Sequence, residues 1–203
     1  MREAVTIAIP AGGESRRFGG IDKQGLDFRG ESLGRRAARN ALSSGCPVLV
    51  VGRNRQPYEG LPVRFAEDAF PGRGPLSGLQ AALGASGTPW IFLTACDMPF
   101  FSREWLDELI ERSGQGGAMV VAARRGGFIE PFQALYSRGL LGRVTSMLDG
   151  RDGTPRKRSL ANLIAETACR EVPESVVDAY SPDGRIFLSA NSPEELKYLQ
   201  ALE

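Results

Sequence analysis

Two glycine pairs, Gly12-Gly13 and Gly19-Gly20, bracket the run Glu14-Ser15-Arg16-Arg17-Phe18, and Lys23 follows shortly after. Glycine lets backbone N–H groups approach an anion with no Cβ in the way. Arg16, Arg17 and Lys23 add cations to the same stretch. Such a loop suits phosphate. It has neither the Gly-Lys-Ser/Thr of a P-loop nor the spaced glycines of a dinucleotide fingerprint, which weighs against a nicotinamide dehydrogenase. A glycine-rich turn with solvated arginines is the plain alternative. Asp97, in Cys96-Asp97-Met98-Pro99, is of the type that ligates magnesium beside a triphosphate, or else caps a turn. Asp68 precedes Gly72-Arg73-Gly74-Pro75-Leu76-Ser77-Gly78, a stretch able to fold its backbone closely around a base or ribose; an ordinary connection reads the same. Arg151, Arg156, Lys157 and Arg158 could meet the phosphate of a second substrate, against the simpler reading of a solvated basic loop.

The chain must do its chemistry without imidazole, since none of its 203 residues is histidine. That removes Ser-His-Asp and Cys-His catalysis and the common zinc and non-haem iron sites. A metal would be held by carboxylates, carbonyls and substrate oxygens, which points to magnesium or manganese. The net charge of +1 gives no global field for nucleic acid. Cys46, Cys96 and Cys169 are odd in number and far apart, so reduced, mostly buried thiols are expected. No apolar run approaches the roughly 20 residues that span a bilayer, and Ala4 to Ile9 is too short for a signal-peptide core. A cytoplasmic protein off the membrane is the expectation.

Each candidate segment follows a predicted strand. Ala4 to Ile9 is a continuous apolar run stopped by Pro10 and the glycines, as in a parallel sheet covered on both faces. Further strands are predicted at 47–51, 63–66, 90–95, 118–123, 169–172 and 185–188. Residues 128–136 read as strand broken by Pro131. Helices are predicted at 32–44, 75–85, 102–112, 138–149 and 158–167, with a last one opening at the capping box Ser192-Pro193-Glu194-Glu195. The alternation predicts one α/β domain over 1–203, three-layered and Rossmann-like, with a mostly parallel sheet. Ligands in such folds bind beyond the carboxyl ends of the strands.

With those residues in place, the chain resembles the MobA-like nucleotidyltransferases, and among them the molybdenum cofactor guanylyltransferases. The family's Leu-Ala-Gly-Gly, Arg-Met-Gly and Asp-Lys are similar to Pro10-Ala11-Gly12-Gly13, Arg17-Phe18-Gly19 and Asp22-Lys23. Its Asp followed by Gly-Pro-Leu-Ala-Gly resembles Asp68 and Gly74-Pro75-Leu76-Ser77-Gly78, and its Cys-Asp-x-Pro resembles Cys96-Asp97-Met98-Pro99. Its closing Asn-x-Asn-Thr-Pro-Glu-Glu-Leu is matched in part by Asn191-Ser192-Pro193-Glu194-Glu195-Leu196, and Glu130 to Tyr136 is a weaker match. Three positions depart: Pro10 replaces a leucine, Gly52 stands where asparagine is frequent, and Ser189 replaces the first closing asparagine.

The resemblance implies a nucleotidyltransferase fold with GTP as donor, molybdenum-loaded molybdopterin as acceptor and magnesium as cofactor. It implies nucleotide binding by Pro10, Ala11, Gly12, Gly13, Lys23, Asp68 and Asp97, with Asp97 as the metal ligand. Asn191 falls at the acceptor, where Arg156 could join it. Arg17, Lys23 and Asp97 would serve catalysis. It also implies transient contact with proteins that insert molybdenum or receive the cofactor, and none with nucleic acid or membrane. The alternatives are a cytidylyltransferase acting on molybdopterin, an enzyme acting on a sugar phosphate or phospholactate, and a non-catalytic nucleotide-binding module.

Overall fold

A computed structural model of the chain describes residues 2–12, 22–150 and 158–202. Its strands are β1 (Val5–Pro10), β2 (Asp27–Phe28), β3 (Glu31–Ser32), β4 (Val48–Val51), β5 (Arg64–Ala66), β6 (Trp90–Leu93), β7 (Val120–Arg125), β8 (Phe128–Ile129), β9 (Ala134–Ser137) and β10 (Cys169–Val172). Its helices are α1 (Leu33–Leu42), α2 (Pro75–Ala85), α3 (Arg103–Ser113), α4 (Leu141–Asp149), α5 (Leu160–Ala165), α6 (Glu174–Tyr180) and α7 (Pro193–Ala201).

The main sheet runs β10-β7-β9-β6-β1-β4-β5, with β8 folded back on β7. β5, β4, β1 and β6 are parallel, β9 enters antiparallel between β6 and β7, and β10 is parallel to β7. Strand side chains alternate between faces, and both faces here are apolar. Ile7, Ile9, Val48, Val50 and Phe92 face one core; Ala8, Leu49, Val51, Ile91 and Leu93 face the other. The first core is closed by α1, α3 and α6 through Ala38, Trp105, Leu109 and Val177, and the second by α2, α4 and α5 through Leu79, Val144 and Leu163. Three layers result, as the apolar runs predict. A small third cluster of Phe28, Leu33, Ala190 and Leu199 ties α7 to the β2–β3 hairpin.

The helix starts follow their capping residues. Ser32, Ser102 and Ser192 each accept the backbone N–H three residues on, satisfying a donor left free in the first turn. Pro75 opens α2 behind Gly74, whose φ of 72° is the left-handed region. At α7 the Glu195 carboxylate accepts the N–H of Asn191 at 2.6 Å, one residue before the cap. Among the described residues, no helix is long and apolar enough to cross a membrane. None of the three cysteines is in a disulfide; Cys46 and Cys96 are buried and Cys169 half-buried.

Three local expectations change. Residues 185–188 are not a strand: Arg185–Phe187 is a 3-10 turn entered through Gly184 at φ 67°. Asp183 accepts the Arg185 N–H, and Phe187 and Leu188 bond back to Gly184 and Arg185, so the local turn satisfies donors that a sheet would have taken. Helix α6 is an addition to the predicted elements. Its cues were Glu174 in the first turn and Val177 facing the core, in only seven residues. The β2–β3 hairpin also went unforeseen; Arg29 and Gly30 turn it with φ of 56° and 85°.

Candidate active site

A cavity of about 510 Å³ opens beyond the carboxyl ends of β1, β4, β5 and β6, in the size range of small-molecule sites. Pro10, Ala11, Gly12, Lys23, Asp68, Asp97 and Asn191 all line it. The structure thus gathers seven predicted site residues from five separate stretches of chain. Gly13, Arg17 and Arg156 lie outside the described residues.

One end is made mostly of backbone. Ala11 continues the strand path of β1 by donating its N–H to Val51 O at 2.8 Å, and Gly52 does the same from β4 to Ala66 at 3.0 Å. Pro10 therefore sits at the mouth of the sheet, its ring against α2. A Cβ on Gly78 would lie 3.0 Å from Pro10 Cβ and Cγ, so the last glycine of Gly74–Gly78 is what admits the proline. Asp68 is held on both oxygens: Oδ1 accepts the Phe70 N–H at 2.7 Å and Oδ2 accepts the buried Ser77 hydroxyl at 2.7 Å. Its carboxylate is pinned at the start of α2 while still lining the cavity.

The centre is a charge pair. Lys23 Nζ donates to Asp97 Oδ2 at 2.7 Å and to Asn191 Oδ1 at 2.8 Å. Asn191 in turn donates to the Ser189 hydroxyl at 2.6 Å, and the Ala190 N–H bonds Asp97 O at 2.9 Å, fixing the closing motif beside the end of β6. An ammonium has three donors, and among the described residues only two are taken, leaving one for a substrate oxygen. Asp97 Oδ1 has no hydrogen-bond partner among the described residues, and no group of three or more metal-ligating side chains occurs among them. That donor set fits magnesium, which takes one or two carboxylates and completes its shell with water and substrate phosphate. It does not fit a closed protein cage.

Beneath the centre, Gln24 ties the chain before Lys23 together. Its buried side-chain amide donates to Ala11 O at 3.2 Å and to Asp22 Oδ2 at 2.7 Å, and Asn54 Nδ2 reaches the same Asp22 oxygen at 2.9 Å. Burial pushes the neighbouring Cys96 thiol up, and the charges of Asp97 and Asp22 push it the same way. It is no nucleophile at neutral pH.

The far end comes from irregular chain. Gln133, buried and at φ 54°, donates its N–H to Leu93 O at 2.7 Å and accepts the Trp105 indole N–H at 2.9 Å. This lays Glu130, Pro131 and Phe132 along the cavity, which is also lined by Phe187 from the 3-10 turn and by Ser189 just after it. Sequence reasoning passed over Gln24, Asn54, Ser77 and Glu130 as site residues. Ser77 and Glu130 lay inside quoted motifs; Asn54 acts through Asp22 and Gln24 through Asp22 and Ala11, and spacing carries no signal for that.

Backbone at Ala11 and Gly12 after β1, the Lys23 ammonium and the Asp97 carboxylate after β6 share one cavity, in a chain with no imidazole to move protons, and the fold is that of the nucleotidyltransferases. Residues 7–169 match the MobA-like NTP transferase domain, and the chain belongs to that family. It is 37% identical over 173 residues to a protein of Opitutus terrae named "Probable molybdenum cofactor guanylyltransferase", covering 83% of this chain and 84% of that one. It is 31% identical to the molybdenum cofactor guanylyltransferase of Desulfosudis oleivorans, covering 98% and 96%. The fold is shared with the crystal structure of molybdopterin-guanine dinucleotide biosynthesis protein A from Archaeoglobus fulgidus, at a TM-score of 0.79, 22% identity and 96% coverage of each chain.

Proposed function

We propose that this chain, acting as one cytoplasmic catalytic domain, transfers GMP from GTP to molybdenum-loaded molybdopterin and releases pyrophosphate. The observation that carries the reading is the Lys23–Asp97 pair in a cavity whose lining also takes in Asp68 after β5 and Glu130 before β9. The named relatives support the guanine and molybdopterin assignments.

A phosphate monoester is largely dianionic at neutral pH, with a second pKa of about 6, so the acceptor needs no general base. What remains is to hold two anions in line and offset the charge that develops. Ala11, Gly12 and Asp68 hold the nucleoside end, with the Asp68 carboxylate available to the N–H groups of guanine. Lys23 turns its free donor to the α-phosphate. Asn191 and Ser189 keep the ammonium aimed at the point of transfer. Gly13 and Arg17 complete the phosphate side by their place in the sequence, and Arg156 the acceptor side. Magnesium held by Asp97 would supply charge neutralisation at the phosphate oxygens.

Pyrophosphate release should be measured with molybdopterin, magnesium and each of the four nucleoside triphosphates. GTP should be the preferred donor. Preference for CTP would move the chain to the cytidylyl branch, and binding of GTP without turnover would reduce it to a nucleotide-binding module.

A further inference from the structure

Two carboxylates of the cavity are used by none of these steps, Asp22 and Glu130; Asp22 is taken up by Gln24 and Asn54, which leaves Glu130. Its Oε1 lies 3.4 Å from Arg125 Nη1, and its Oε2 has no partner among the described residues. It lines the cavity, as do Phe132 and Phe187. The same Arg125 guanidinium stacks over Phe187 at 4.6 Å from the ring centroid, and the Trp105 indole meets that ring edge-on at 6.0 Å and 73°. Gly184, at φ 67°, leaves the space that Arg125 occupies; a Cβ there would collide with the guanidinium. One arginine therefore fixes both a carboxylate and an aromatic ring at this end.

The sheet order separates this end from Asp68. Asp68 follows β5 at one edge, whereas Glu130 precedes β9, four strand positions away. At about 4.8 Å per strand the separation is roughly 19 Å, and Lys23 and Asp97 lie between. Guanine and pterin present the same edge to a protein, a ring N–H beside an exocyclic amino group. A carboxylate accepts both donors at once.

We propose that Glu130 reads the amino–N–H edge of the acceptor's pterin ring, with Phe187 and Phe132 bounding its faces. The cavity then recognises one chemical edge twice, through Asp68 for the donor base and Glu130 for the acceptor. This rests on the molybdopterin reading above. It goes beyond that reading in assigning the ring-selective residue.

The test uses two pteridines in the presence of GTP. 6-Hydroxymethylpterin carries the donor edge; 6-hydroxymethyl-lumazine has a carbonyl in place of the amino group, so it turns an acceptor toward Glu130. The wild-type protein should bind the pterin at least about tenfold more tightly, the scale of losing one hydrogen bond to a charged group. Glu130→Gln and Glu130→Ala should bring the two ligands to within about threefold, with GTP affinity unchanged as proof that the fold is intact. Variants that discriminate as well as wild type would overturn the Glu130 assignment alone. Wild-type protein that binds neither pteridine while still binding GTP would overturn it together with the molybdopterin reading.

Discussion

The two ends of the cavity are built by different means. The donor end is main chain laid down by parallel strands: Ala11 and Gly52 prolong the sheet hydrogen bonding, and Gly78 is bare because the Pro10 ring lies against it. The acceptor end is side chains on irregular segments, with Glu130 and Phe187 clamped by Arg125. The main-chain part of that end cannot be retuned without moving a strand, and Asp68, its one base-reading side chain, is itself pinned by Phe70 and Ser77. A side-chain end can change its ligand while the sheet stays as it is. On the proposed function, donor binding is thereby tied to the fold, and acceptor choice is set on top of it.

Between the ends lies the group that serves both, so its loss should cost most. Lys23→Ala removes the donor shared by Asp97, Asn191 and the phosphate, and turnover should fall by ~10² or more, on the scale of one lost electrostatic stabiliser. Steady-state kcat with both substrates saturating reads this. Retained activity would remove Lys23 from the transfer step. Gly78→Ala probes the donor end alone. Its Cβ would press on Pro10 at 3.0 Å, and an overpacking cost of about 1–3 kcal/mol should appear as a rise in KM for GTP of about tenfold. The pterin-over-lumazine preference should not move; if it does, the two ends are not separate. Ser77→Ala is the mildest. It frees one oxygen of Asp68 from its 2.7 Å hydrogen bond; a bond to a charged group is worth about 1.5–3 kcal/mol, but the single hydroxyl proton is shared with Gly74 O, so KM for GTP should rise about two- to tenfold at constant kcat.

The same contrast explains what the sequence revealed. Continuous apolar runs at 4–9 and 90–95 announced a sheet covered on both faces, and strand-end residues at 68 and 97 could be placed with no knowledge of contacts. Pro75 and the serine caps set helix starts within a residue or two. The acceptor end resisted because its geometry is not periodic. Gln133 adopts a left-handed backbone usual for glycine, held there by Leu93 and Trp105, which are distant in sequence. Arg185-Ile186-Phe187-Leu188 has the alternation of a strand, yet Gly184 and Asp183 turn it into a 3-10 bend. Asp97 was legible as a carboxylate at a strand end and Lys23 as a cation of the glycine-rich loop. Their direct contact was not, since 74 residues separate them.

The central claim is that one cavity joins a guanine nucleotide to a molybdopterin through its α-phosphate. The most direct measurement is the mass of the product formed from molybdopterin, magnesium and GTP labelled at the α-phosphorus, with CTP run in parallel. The account predicts the label in a molybdopterin guanine dinucleotide, with unlabelled pyrophosphate released and little product from CTP. Label recovered only as free GMP or unreacted GTP, or a cytosine dinucleotide as the main product, would contradict it.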